Sequence, residues 1–140
     1  MVTLDILKNL SSRYEQLTAN FTKFVELVEA EVNKPSFLIK GIATSLHLDS
    51  NYFTASFIGR TVRYVFSAPL GDSGTLKGMV RCYLMPVFPA TEAMELSSFT
   101  FTGNGQTNIN DSTNNDPLNM TSDLDAIYLA LTAIYEGLSK

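Results

Sequence analysis

The sequence predicts an α+β fold, an antiparallel meander of about five strands with an N-terminal and a C-terminal helix packed on one face. Three patterns carry that expectation. Apolar residues recur at helical spacing before residue 34, alternate with polar ones between 36 and 102, and return to helical spacing after 121. Strands joined by short turns pair antiparallel, and two amphipathic helices can cover only one face of the resulting sheet. At 140 residues, 45% hydrophobic and 17% charged, the chain is large and apolar enough to close one core as a single domain.

The first helix, expected over residues 1–34, rests on Leu7, Leu10, Tyr14, Leu17, Phe21, Phe24 and Val28. Their spacings alternate between 3 and 4, the 3.5-residue period of a coiled-coil seam. Thr3 suits the N-cap, and Asp5 in the first turn complements the helix dipole. Pro35 stops the helix, because the residue before a proline is pushed out of helical space. Such a seam serves either to pack on a sheet or to pair with a second helix.

The antiparallel sheet is expected over 36–102. "SFLIKGIATSLHL" (36–48) is a long apolar run, closed by the turn residues Asp49, Ser50 and Asn51. In "YFTASFI" (52–58) Phe53, Ala55 and Phe57 share one side, and Gly59–Arg60 then reads as a two-residue type II′ hairpin. "TVRYVFS" (61–67) turns Val62, Tyr64 and Phe66 inward and Thr61, Arg63 and Val65 outward. After the connector "APLGDSG" (68–74), Leu76, Val80, Cys82 and Leu84 face inward and Lys77, Met79, Arg81 and Tyr83 outward. Pro86 and Pro89 bound that strand, since proline cannot donate to a central ladder. "SSFTFT" (97–102) supplies the last strand, with Phe99 and Phe101 inward.

Residues 103–120 are rich in Asn, Thr, Ser, Asp and Gly, which bond their own backbone and tolerate left-handed conformations. They read as a polar loop, mobile or self-packed, of which 104–119 is replaceable by a short linker. The second helix, 121–139, is expected to bury Leu124, Ile127, Tyr128, Leu131, Ile134, Tyr135 and Leu138, with Thr121 or Ser122 as its cap.

Few groups offer chemistry. Cys82 and His47 are single copies, and an inward-facing cysteine behaves as a small inert hydrophobe. The "GDSG" at 71–74 is a connector without a triad around it, and "GNGQTN" (103–108) lacks the third glycine of a phosphate cradle. The polar loop holds Asp111 and Asp116 but no Glu, so it lacks a calcium-loop frame. No catalytic residue, metal ligand or cofactor is therefore assigned, and the chain reads as no enzyme. A net charge of −4 disfavours nucleic acid. The lack of a long apolar run speaks against a membrane partner, and the polar start fits a cytoplasmic setting.

What remains is a surface. Between residues 51 and 91, Arg60, Arg63, Lys77 and Arg81 oppose Asp72 alone. The outward face carrying Arg63, Lys77, Met79, Arg81 and Tyr83 has the composition enriched at interfaces. The expected function is a non-catalytic protein-interaction domain, forming a homodimer or binding, inhibiting or chaperoning another protein. The alternative is a small-molecule-binding domain whose aromatic pocket is lined by Phe53, Phe57, Tyr64, Phe66 and Phe99.

Overall fold

A computed structural model describes residues 2–140. Helix α1 (Leu4–Val32) is followed by seven strands: β1 (Ala43–His47), β2 (Tyr52–Phe57), β3 (Arg60–Ser67), β4 (Gly78–Leu84), β5 (Met94–Phe101), β6 (Gln106–Asn110) and β7 (Pro117–Asn119). Helix α2 (Asp123–Leu138) closes the chain. The strands lie in sequence order, each antiparallel to the next, and both helices cover one face. The fold is the expected α+β meander, with seven strands in place of five.

The two added strands come from the segment read as slack. Thr107 is buried, and its hydroxyl donates to the Leu118 carbonyl at 2.8 Å, tying β6 to β7. Asparagine side chains stand in for missing ladder bonds. Asn108 Oδ1 accepts from the Thr100 amide at 3.0 Å, and Asn20 of α1 donates to the Gly103 carbonyl at 2.8 Å. Leu118 and Met120 are buried in the core. Polar composition concealed this hairpin because here the side chains of asparagine and threonine complete the pairing of the backbone. What remains irregular is the loop 111–116, the tight turn at 103–105 and Met120.

Two further expectations shift. The β2–β3 turn is Ile58–Gly59, one residue earlier than expected, and Phe57 pairs with Arg60 across it. Both turn residues have positive φ, +50° and +73°, which makes the turn type I′ and not II′. Glycine adopts that region freely; a β-branched residue there costs about 1–2 kcal/mol. The run at 36–48 gives only a five-residue strand, and its first half crosses from α1 to the sheet edge.

Inward residues of the strands meet the helices in one aromatic core. Phe53 and Tyr64 stack at 4.4 Å, Phe21 stacks on Phe66 at 5.2 Å, and Phe24 meets Phe53, Tyr64 and Phe99 edge-on. Gly78 has no side chain because the Phe101 ring occupies that space; a Cβ there would lie 2.2 Å from it. The fully buried Tyr64 hydroxyl donates to the Ala130 carbonyl at 2.7 Å, locking α2 to β3.

Helix α2 buries only part of the stripe its sequence suggests: Ile134 is buried, and Ile127 and Leu131 pack half-buried against the core. Its buried residues are Ala126, Leu129, Ala130, Ala133, Ile134 and Gly137, while Leu124, Tyr128 and Tyr135 are exposed. Small residues let the helix sit close to the sheet: a Cβ on Gly137 would be 3.3 Å from Leu84 and Val62. Close approach is confined to the stretch around Gly137, since Leu129 and Ile134 are buried along the same helix.

Candidate interaction surface

Alternation along β2 to β5 decides what the uncovered sheet face presents. Opposed residues run in rows across the strands. One row is His47, Tyr52, Val65, Arg81 and Ser98; the next is Ser45, Thr54, Arg63, Tyr83 and Glu95. Arg63 lies over the Tyr52 ring at 4.3 Å, and His47 stacks on the same tyrosine at 4.6 Å. The Arg63 Nε is buried without a hydrogen-bond partner, so that guanidinium is held by the ring and not by a carboxylate. Arg81 stands 3.9 Å from Glu95, both about half exposed, a loose surface pair of little energetic weight. Met79 and Tyr83 are half-buried on this face, and Lys77 is exposed just ahead of β4. The five residues singled out from the sequence therefore do lie together, on or beside one face.

A second surface was only half visible in the sequence. The seam of α1 is buried from Leu17 through Phe21, Phe24 and Val28 to Val32. Arg13 and Tyr14 mark the edge of the sheet layer: Arg13 Nε donates to the Leu76 carbonyl at 3.4 Å, and the Tyr14 ring stacks on Phe66 at 5.9 Å. Upstream the same stripe continues without cover. Leu10 is half-buried, Leu7 is 53% exposed, Ile6 46% and Leu4 71%. Thr3 caps this free end, its hydroxyl accepting from the Ile6 amide at 3.2 Å, so the stripe is presented on an ordered helix.

Chemistry is thinly supported elsewhere. Burial pushes the Cys82 thiol up to about 12, far from the reactive range. Cys82 and His47 sit on strands three apart in the sheet and on opposite faces, so they cannot form a nucleophile–base pair. Among the described residues no three His, Cys, Asp or Glu side chains gather as metal ligands would. Of the residues expected to line an aromatic pocket, Phe53 and Tyr64 stack on each other, Phe66 and Phe99 meet rings of α1, and Phe57 is half-buried at the margin of the core. A cavity of about 120 Å³ beside Cys82, Phe99 and Leu129 lies between the sheet and α2. A cleft of about 300 Å³ lies beside α2, lined by Asp111, Thr113, Leu118, Leu124, Asp125 and Tyr128. Its two carboxylates are already engaged: Asp111 accepts from the Thr113 amide and Asp125 from the Asn119 amide.

The chain matches no family model, no curated protein and no solved structure. Its geometry has to carry any functional reading.

Proposed function

We propose that this chain is a non-catalytic protein-interaction domain that pairs with a second copy of itself through the free half of α1. The single observation that carries the reading is the continuation of the core-facing seam past the edge of the sheet, where Leu4, Ile6, Leu7 and Tyr14 are exposed. Apolar stripes of this kind on an ordered helix are partner sites far more often than decoration. Charge supports a second copy as the partner. In a chain of net −4, the free half carries Asp5 and Glu15 against Lys8 and Arg13, so two copies meet without net repulsion. Leu7 and Leu10 occupy the seam, and the flanking positions are Leu4, Ile6, Ser11 and Arg13, so like charges do not line it. A specific interface begins at about 1,000 Å², which is what two such stripes and their flanks must bury.

Sedimentation equilibrium at micromolar concentration tests the reading. The expected mass is twice that of the 15.4 kDa chain, returning to that of one chain in Leu7→Glu/Tyr14→Ser while far-UV circular dichroism is unchanged. A single-chain mass at all concentrations rejects self-association. The sheet face with Arg63, Arg81 and Tyr83 then becomes the surface to test against other proteins.

A further inference from the structure

Two small polar residues, Cys82 of β4 and Ser97 of β5, stand opposite each other under helix α2. Side chains of that size do not fill the space to the helix, and a cavity of about 120 Å³ remains. Its inner wall is apolar: Phe99 and Leu129 are buried, and Ile109 of β6 borders them. Toward solvent it is bounded by Tyr128, 49% exposed, and by the exposed Thr132, one turn apart on α2. A cavity of about 150 Å³ admits a benzene ring, so this one suits a body of about five carbon atoms.

One carboxylate lines the cavity, that of Glu136, and no basic residue does. Glu136 is half-buried and, among the described residues, makes no ion pair. It also sits in the last turn of α2, a turn without a basic residue. Both placements cost free energy. The helix dipole is negative at that end and favours a cation there, and partial burial weakens the hydration of a carboxylate. Local rules broken together at one residue point to a use for it. Burial first, and the Glu136 and Glu95 carboxylates after it, hold the Cys82 thiol neutral, so the thiol brings no second charge.

We propose that this cavity binds a small primary amine as its ammonium ion. The apolar body lies between Phe99, Ile109 and Leu129, and the ammonium group meets the Glu136 carboxylate. Such a group carries three donors and no acceptor, so it needs acceptors around it. The Thr132 hydroxyl donates to the Tyr128 carbonyl at 2.8 Å, which leaves its oxygen free to accept from the ligand. An anionic ligand would meet Glu136 with like charge, and a neutral alcohol of the same shape would leave that carboxylate unpaired. The cavity involves no residue of α1, so a chain that stays single binds as well as a paired one.

Pentylamine and its neutral counterpart pentanol, titrated into the isotopically labelled full chain at neutral pH, test the site through amide NMR shifts. Pentylamine is expected to bind in the millimolar range, as suits so few atoms, and to shift amides of 97–99 and 128–136. Pentanol should bind at least tenfold more weakly. Glu136→Gln should weaken pentylamine binding at least tenfold and leave pentanol unchanged. Its melting temperature should stay level or rise, because an acid leaves the last turn. Glu92→Gln, which removes an exposed acid outside the cavity, should alter neither affinity. Equal affinity for amine and alcohol overturns the proposal, as does undiminished amine binding by Glu136→Gln. Shifts confined to other segments, or none with either probe, overturn the cavity as a binding site. A melting temperature lowered by Glu136→Gln would give that carboxylate a structural partner and overturn the proposal likewise.

Discussion

The two halves of α1 share one seam and have different fates. From Leu17 to Val28 the 3.5-residue stripe is sealed against aromatic rings of the sheet; from Leu4 to Tyr14 most of that stripe faces out. Period, composition and helix propensity are alike in both. The reach of the sheet differs: its layer ends where Tyr14 meets Phe66 and Arg13 meets Leu76. An amphipathic pattern thus specifies that a face will be covered, and leaves open whether the cover comes from the same chain.

That comparison can be broken by measurement. The largest effect is expected for Phe24→Ala, about 3–5 kcal/mol in chemical denaturation, since Phe24 packs on four other rings. Met120→Ala should follow at about 2–5 kcal/mol, because Met120 is fully buried although its segment reads as loop. A loss below about 1 kcal/mol there would restore the reading of 103–120 as slack. Tyr64→Phe removes the bond to Ala130 from the core and should cost about 1 kcal/mol. Leu7→Ala is the smallest, within about 0.5 kcal/mol at concentrations too low for pairing. A cost for Leu7 matching that of Phe24 would mean that the two halves are covered alike.

Most of the core was legible. Phe21, Phe24, Val62, Phe66, Val80 and Phe99 are buried where their periodicity puts them, and Leu10 and Leu131 are half-buried at its margins. The outward placement of Arg63, Arg81 and Tyr83 was equally plain, because a period of 2 leaves no choice once Tyr64 and Cys82 face inward. The β6–β7 hairpin was not legible. Its pairing depends on Thr107 reaching Leu118 and Asn108 reaching Thr100, contacts between side chains and backbone that no local hydrophobic pattern records.

For the two helices and the first five strands the sequence by itself determined the element types and the antiparallel order, and for β2 to β5 the inward face, because those follow from periodicities of 3.5 and 2 within single segments. Only the tertiary structure decided which apolar residues stay in water. Helix α2 turned Ala126, Ala130, Ala133 and Gly137 inward together with Leu129 and Ile134, leaving Leu124 and Tyr135 outside. The sheet stopped short of Leu7, and Leu38, Ile58 and Phe88 were left exposed in the connections. These outcomes depend on distances between segments far apart in the chain, and no pattern within one segment encodes such distances.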